Sequence, residues 1–239
     1  MAAWFCWGML TLAGCAAPDA QRLVDQCIAA HGGKAYEQFR LELDFRDKHY
    51  RAERDGGQFR YERSWQDSAG ILTDVLTAQG LTRTLNDTPV PLPDSIAALY
   101  AASVNSVWYF ALLPYPLNDP AVLKSYIGPA TVRQQPYHKL RITFRQEGGG
   151  TDFEDVFVYW IHQQTHTLDY LAYSYQDKKE QGIRFRAKTR DTLVAGIRFQ
   201  DYINYKADPS WQLENLDQAY ETGQLEKLSE IALERIRPY

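Results

Sequence analysis

The stretch from Phe153 to Tyr175, FEDVFVYWIHQQTHTLDYLAYSY, constrains the fold more than any other part of the chain. Its β-branched and aromatic residues predict a hairpin of two strands, Asp155–His162 and Thr167–Tyr175, with a turn at 163–165. Side chains alternate along a strand, so the first strand carries Phe157, Tyr159 and Ile161 on one face and Val156, Val158 and Trp160 on the other. Both faces are apolar, so neither is expected to face water.

The strands predicted on either side of this hairpin each have one apolar and one charged face. Around Leu43, Ile142 and Phe185, apolar residues alternate with charged or polar ones. Such alternation is typical of antiparallel sheets that have one face on the core and one in water. In the third of these strands the expected wet face consists of Arg184, Arg186 and Lys188. The central hairpin is apolar on both faces and its neighbouring strands on only one. This combination predicts a curved antiparallel sheet whose inner surface covers something apolar.

Helical periodicity marks three other segments. It predicts a first helix from Asp19 to Phe39, with Gly32-Gly33 as a stop, and a helical tail from about residue 209 that includes Leu225, Leu228 and Ile231. A second helix begins at Asp94 or Ser95, has Ile96, Leu99, Tyr100, Ser103, Val104 and Val107 on one side, and continues into an apolar insert at 106–113. The insert is predicted to be either a core helix or a plug in the concave face of the sheet. The remaining predicted strands are Arg40–Tyr50, Gln58–Gln66, Ile71–Ala78, Leu81–Asn86, Lys139–Gln146, Gly182–Thr189 and Val194–Tyr205.

These elements predict one domain, residues 15–239, of the α+β class and mainly β, because the strands follow one another with little helix between them. The chain of 239 residues is 45% hydrophobic, which is enough for a core and argues against disorder. Its net charge of −4 is scattered without a basic stripe, which excludes nucleic-acid binding. Its mean hydropathy of −0.46 excludes a polytopic membrane protein.

The first residues form an apolar run, 2–13, that ends in Leu12-Ala13-Gly14-Cys15. The run is shorter than the about 20 apolar residues that span a bilayer, and fits a secretory signal. The tetrapeptide resembles a bacterial lipobox. The resemblance implies removal of residues 1–14, acylation of Cys15 by fatty acids such as palmitate, and a lipid anchor in the cell envelope. Ala16 in place of aspartate favours the outer membrane, facing the periplasm. The alternative is an apolar stub with an ordinary cysteine.

No signature of catalysis was found, so no catalytic residue, metal or cofactor is predicted. The chain has no Gly-x-Ser-x-Gly, HExxH or Walker sequence. His162 and His166 flank the hairpin turn and could hold a metal with Asp169 or Asp155, which leaves a metal-dependent hydrolase as an alternative. Cys27 lies one helical turn from His31, but a cysteine on an apolar stripe is more often packing than a reactive thiolate.

Aromatic residues are the most informative class, since the chain has 16 Tyr, 10 Phe and 6 Trp. Rings with apolar bodies and polar tips suit a cavity that accepts an acyl chain or another amphiphile, although they also fill the cores of large β proteins. The candidate cavity lining, taken from the insert, the hairpin and its neighbouring strand, is Trp108, Tyr109, Phe110, Phe144, Phe157, Tyr159, Trp160 and Tyr173.

The order of elements, together with the hairpin 157–169, resembles the LolA/LolB-like superfamily of lipoprotein carriers and receptors. Ala30-His31-Gly32-Gly33, Phe45-Arg46 and Tyr61-Glu62-Arg63 add a resemblance to an uncharacterised family of bacterial secreted lipoproteins. The resemblance covers about 20–207. It implies a curved antiparallel half-barrel closed by helices over an apolar cavity, with no catalytic signature.

We therefore expect a non-enzymatic, lipid-anchored envelope protein. It would bind a hydrophobic or amphiphilic ligand, such as a lipid or a lipoprotein acyl chain, in the half-barrel. Besides the hydrolase, the alternative is a structural envelope module whose concave face binds a partner protein.

Overall fold

The computed structural model describes residues 17–148, 153–176 and 181–239. The helices of these residues are Ala20–His31 (α1), Asp94–Ala111 (α2) and Leu216–Glu221 (α3), with short 3₁₀ helices at Gly33–Tyr36, Tyr115–Asn118 and Leu213–Asn215. The strands are Gln38–Phe45 (β1), Lys48–Asp55 (β2), Gln58–Asp67 (β3), Gly70–Thr77 (β4), Gly80–Leu85 (β5), Thr88–Val90 (β6), Val122–Val132 (β7), Gln135–Phe144 (β8), Val156–His162 (β9), Leu168–Gln176 (β10), Gln181–Val194 (β11), Ile197–Lys206 (β12), Glu226–Ile231 (β13) and Glu234–Pro238 (β14). None of the described helices is long and apolar enough to cross a membrane.

The strands form two antiparallel sheets of seven strands each, not closed into a barrel. The first has the order β14-β1-β2-β3-β4-β5-β6, and the second has the order β13-β12-β11-β10-β9-β8-β7. The last hairpin therefore joins the two sheets, because β13 pairs with β12 and β14 pairs with β1. The predicted fold class, mainly β with a curved half-barrel surface, is confirmed, and the curved surface is shared between two sheets.

The predicted central hairpin is confirmed as β9 and β10, and both of its faces are covered. The inner face, with Tyr159 and Ile161, packs with α1 through Leu23 and Val24. The outer face carries Val158, Trp160, Tyr170 and Ala172, and is covered by the C-terminal segment 207–220, including Ala207, Leu213, Leu216 and Ala219. This segment explains why neither face of the hairpin had to be polar, since each is removed from water by a different part of the chain.

Helix α2 packs on the first sheet, so it is a core helix. Its buried residues Val104, Trp108 and Ala111 share a core with Leu43 and Tyr61. The predicted apolar side was wrong at its first turns, because Ile96 is 37% and Leu99 is 61% exposed. The helix is held further by Arg63, whose Nη1 donates to Ser103 Oγ at 2.8 Å.

Several predicted elements were wrong in their bounds or type. The first helix ends at His31, because Gly32 breaks it, and the strand predicted over Arg40–Tyr50 is divided by a turn at Arg46, which has φ of 57°. The strand predicted to begin at Val194 begins at Ile197, because Ala195 and Gly196 form the turn between β11 and β12. Strands β6 and β7 were not predicted.

The helical tail predicted from about residue 209 was wrong beyond Glu221. The chain forms β13 and β14 there, and Leu228 is 43% exposed. An edge strand such as β13 is stabilised through backbone pairing with its neighbour, so the spacing of its apolar residues carries little information about its conformation.

Candidate ligand cavity

A cavity of about 440 Å³ lies between the two sheets, beside the second half of α2. Its walls come from β1, β2 and β3 of the first sheet, from β10 to β13 of the second, and from α2. The residues that line it are Phe45, Arg46, Asp47, Lys48, Tyr50, Arg63, Ser103, Ser106, Val107, Phe110, Ala111, Tyr173, Arg186, Gln200, Tyr202, Asn204, Ser229, Ile231 and Leu233. A concave space of this size falls in the range of about 300–1,000 Å³ that small-molecule sites occupy.

The apolar part of the wall is largely aromatic. Phe110 of α2 lies against Tyr173 of β10, with ring centroids 5.9 Å apart, and Val107 precedes Phe110 by one helical turn. Tyr202 is 5% exposed and donates its hydroxyl to Gln200 Oε1 at 2.7 Å. Burial raises the pKa of Tyr202, so this hydroxyl stays neutral and keeps donating.

The polar part of the wall contains a buried arginine, Arg186, which is 9% exposed. Its guanidinium carbon lies 3.9 Å from the ring centroid of Phe110, and its Nη2 donates to the hydroxyl of Tyr173 at 3.1 Å. Arg186 Nε is buried and forms no hydrogen bond with the described residues. The cavity therefore combines an aromatic wall with a buried arginine.

The register of the second sheet shows why Arg186 faces inward. Tyr159 of β9 lies opposite Leu171 of β10, Leu171 lies opposite Arg186 of β11, and Arg186 lies opposite Asn204 of β12. Residues that lie opposite one another across an antiparallel sheet share a face, so Arg186 shares the inner face of Tyr159. The expectation that Arg186 belongs to a wet outer face was wrong.

The remaining charges of the wall lie at its first-sheet side. Arg63 is buried and already paired, because its Nη2 lies 2.5 Å from Asp74 Oδ2. Lys48 pairs with Asp47 at 3.0 Å in the turn between β1 and β2, where Arg46 and Asp47 are exposed. This turn places exposed charges at the edge of the cavity, whereas Arg186 is a buried charge deeper in the wall.

Of the eight residues predicted to line a cavity, Phe110 and Tyr173 line this one. Four others lie beside it in one aromatic cluster centred on Phe157, whose ring is 5.3 Å from Tyr173. The other members are Tyr109, Phe144 and Tyr159. This cluster belongs to the core that α1 and the inner face of the second sheet share.

The last two of the eight lie away from the cavity. Trp108 points into the core under α2 and stacks on Tyr61 with centroids 5.7 Å apart. Trp160 lies on the outer face of the second sheet, 5.5 Å from Phe185. Ligand binding by any of the eight stays a prediction. The sequence did not predict that Arg186 lines the cavity. Its alternation with Phe185 and Ala187 indicated that the two faces of the strand differ, but not which face lies inside.

His162, at the hairpin turn, uses its ring nitrogens to hold the turn together. His162 Nδ1 accepts hydrogen bonds from the backbone N–H groups of Gln164 at 3.1 Å and Thr165 at 3.2 Å. His162 Nε2 lies 3.3 Å from Gln135 Oε1, and is the ring nitrogen left to carry the proton. Within the described residues, no group of three or more His, Cys, Asp or Glu side chains is placed to hold a metal ion. Cys27 is fully buried in the core shared by α1 and the second sheet, and Cys15 lies outside the described residues.

The amino-acid sequence matches a known protein family. The family of unknown function DUF6503 matches residues 6–232. The chain belongs to this family. The uncharacterised family that the sequence motifs indicated is thereby confirmed. No curated protein matches the sequence.

Solved structures similar to this DUF6503 member include a LolA superfamily protein from Nitrosomonas europaea. The two share 10% sequence identity with a TM-score of 0.52, over 93% of this chain and 94% of that one. A DUF1329 family protein from Desulfovibrio piger is similar at 9% identity and a TM-score of 0.42, over 92% of each chain. The first likeness shows that the fold is LolA-like, as the order of the elements predicted.

Proposed function

We propose that this protein is a non-enzymatic, lipid-anchored protein of the bacterial cell envelope that holds a hydrophobic or amphiphilic ligand in its half-barrel. The observation that carries the proposal is the cavity of about 440 Å³ between the two sheets. Nine of its nineteen lining residues are aromatic or aliphatic and ten are charged or polar, so the walls offer apolar surface and polar partners to one amphiphilic ligand. Transfer of apolar ligand surface from water to these walls would supply about 25 cal/mol per Å².

The LolA-like fold supports this proposal, because it is an open antiparallel surface with helices against its concave side. In this protein, α1 and the aromatic cluster around Phe157 fill one part of the concave side, and the cavity occupies the part between α2 and β10–β13. A cavity that the protein's own helices leave open, with aromatic and aliphatic side chains in its wall, is suited to an acyl chain that carries a polar group.

The envelope location and the anchor rest on the Leu12-Ala13-Gly14-Cys15 sequence. Acylation of Cys15 would attach the chain to the outer membrane, because each buried methylene contributes about 0.8 kcal/mol and several acyl chains together give stable anchoring. Metabolic labelling with a palmitate analogue tests this part. Label is expected in the wild type and absent from Cys15→Ser, and a wild-type chain without label contradicts the anchor.

Ligand binding is tested by displacement of a fluorescent fatty acid from the full-length chain carrying Cys15→Ser, which removes the proposed acylation. Saturable binding is expected. Ser106 lines the cavity and is exposed on α2, so Ser106→Trp should place an indole at the cavity and weaken binding. The matched control is Asn105→Trp, the next exposed position on α2, which does not line the cavity. No saturable binding to the folded chain would overturn the proposed function.

A further inference from the structure

We propose that the ligand is an acidic amphiphile whose anionic group, a carboxylate or a phosphate, binds to Arg186, while its apolar chain lies along the rest of the cavity wall. This inference rests on the proposed function, because it names the class of ligand for the same cavity.

Arg186 is a buried cation, only 9% exposed. Among the residues that the structure describes it forms no ion pair, so it has no counter-charge there. Burying a charge without a partner is costly, so buried arginines are usually paired with a carboxylate. Arg63 shows the usual arrangement in the same protein, since it is 6% exposed and bonds Asp74. An anionic ligand group would supply Arg186 with the counter-charge that Asp74 supplies to Arg63.

The contacts of Arg186 hold its guanidinium in place without neutralising it. Phe110 offers the face of its ring at 3.9 Å, and Tyr173 accepts one hydrogen bond at 3.1 Å. Both contacts are favourable to a cation, and neither supplies negative charge. Arg186 lines the cavity, and its planar guanidinium fork keeps at least one donor, Nε, that forms no hydrogen bond with the described residues. Such a fork matches the geometry of a carboxylate or phosphate.

A second buried polar atom lies at the same place. Asn204 is directly opposite Arg186 in the pairing of β11 with β12, and it also lines the cavity. Its Oδ1 is buried and forms no hydrogen bond with the described residues, whereas its Nδ2 lies 3.4 Å from Ser229 Oγ. Two neighbouring residues with unsatisfied polar atoms point to a polar ligand group at this end of the cavity.

The balance of charge along the cavity also favours an anion. The wall includes Arg46, Lys48, Arg63 and Arg186 and one carboxylate, Asp47. Asp74, behind the wall, neutralises Arg63, which leaves a surplus of positive charge. In a cavity with low-dielectric walls such a surplus concentrates anions.

The apolar chain of the ligand has surface available in the same cavity. Val107, Ile231 and Leu233 line it, in addition to the aromatic wall. An anionic group fixed at Arg186 with a chain over these residues satisfies both the charge and the apolar wall. A neutral lipid would satisfy only the wall.

The experiment compares three probes of equal chain length, hexadecanoate, hexadecyl phosphate and hexadecanol, below their aggregation concentrations and at neutral pH. Each displaces a fluorescent fatty acid from the full-length Cys15→Ser chain. One or both anions are expected to bind about tenfold or more tighter than hexadecanol, as hydrogen bonds to a charged group imply. The relative affinities of the two anions separate a fatty acid from a lipid phosphate.

Two variants assign the preference to Arg186. Arg186→Gln is expected to reduce the affinity for the anions about tenfold or more and the affinity for hexadecanol much less, so that the preference for the anions is lost. Its matched control is Arg184→Gln on the same strand, where Arg184 bonds Tyr175 and does not line the cavity. Asn204→Asp keeps the shape of the side chain and places a carboxylate opposite Arg186, so it should also abolish the preference, even if Arg186→Gln does not fold.

The outcomes separate this inference from the proposed function. Equal binding of all three probes to the wild type overturns the role of the anionic group and leaves ligand binding standing. An anion preference that survives in folded Arg186→Gln or Asn204→Asp overturns the assignment to Arg186. Failure of all three probes to bind overturns the proposed function itself.

Discussion

His31 at the end of α1 accepts a hydrogen bond through Nε2 from the backbone N–H of Leu168, at 3.0 Å and 137 residues further along the chain. This contact joins α1 to the start of β10, within the central hairpin. His31 is fully buried, and only its neutral form has a free lone pair to accept this bond. The pKa of His31 is lowered to about 3, mainly by burial and in addition by the positive charge of Arg198.

The first prediction concerns the pH dependence of stability. A histidine in the unfolded chain has a pKa of about 6.5, so between pH 6.5 and 3 the unfolded state binds a proton that the folded state excludes. Stability therefore falls as pH falls through this window, and His31 should account for a loss of about 2 kcal/mol between pH 7 and pH 5. Urea unfolding at the two pH values measures the difference.

The matched variant for this prediction is His31→Gln, which keeps an acceptor amide but does not titrate. It should be less stable than the wild type at neutral pH and should lose less stability on acidification. An equal loss in both proteins between pH 7 and pH 5 would show that His31 is not the group responsible.

The second prediction concerns the ion pair beneath α2. Asp74 is fully buried and accepts hydrogen bonds from Arg63 Nη2 at 2.5 Å and from Arg83 Nε at 2.6 Å. Asp74→Asn keeps the shape of the side chain but removes the counter-charge of the buried Arg63 and the partly buried Arg83, so the free energy of unfolding should fall by about 3–5 kcal/mol. The exposed Asp87→Asn serves as the control and should change stability by less than about 0.5 kcal/mol. Similar values for the two variants in urea unfolding would contradict the role of Asp74.

The third prediction separates the two faces of the second sheet. Trp160 is fully buried on the outer face under the C-terminal segment, so Trp160→Ala should destabilise the protein by about 3–5 kcal/mol. Because it does not line the cavity, binding of a fatty-acid probe, measured below the melting temperature, should be unchanged. Phe110→Ala changes the cavity wall directly and should weaken binding. A weaker affinity in folded Trp160→Ala would show that the two faces are coupled.

The sequence predicted the central hairpin closely, because an element with two apolar faces has few alternatives. It could not show which face of a neighbouring strand lies inside. Alternation of Phe185 with Arg186 indicates only that the two faces differ. The outer face of this strand is buried because residues about 20–35 positions further along the chain fold back over it. Tyr220, for example, has its ring centroid 5.2 Å from that of Phe185. That contact is non-local, so no pattern within the strand predicts it.

The candidate site was harder to predict than the fold for the same reason. Aromatic residues of the insert and the hairpin were expected to line a cavity, and Phe110 and Tyr173 do so. Phe157 and Tyr159, which lie on the same face of the sheet as Tyr173, pack in the core beside the cavity. The difference depends on how far α1 and the 3₁₀ helix Tyr115–Asn118 extend over the inner face, which is a property of the packed fold.

The last prediction uses Cys27 as a reporter of how firmly α1 is docked. Its thiol is fully buried and burial raises its pKa, so it should react with a thiol reagent only when α1 opens. In a full-length chain carrying Cys6→Ser and Cys15→Ser, labelling should be about a thousandfold or more slower than for an exposed thiol, if opening requires about 4 kcal/mol. His31→Gln weakens the bond from α1 to Leu168 and should accelerate labelling, whereas Asp87→Asn should not. Labelling of the native chain as fast as that of the unfolded chain would contradict the docking of α1, and with it the shared core on which the inner face of the second sheet depends.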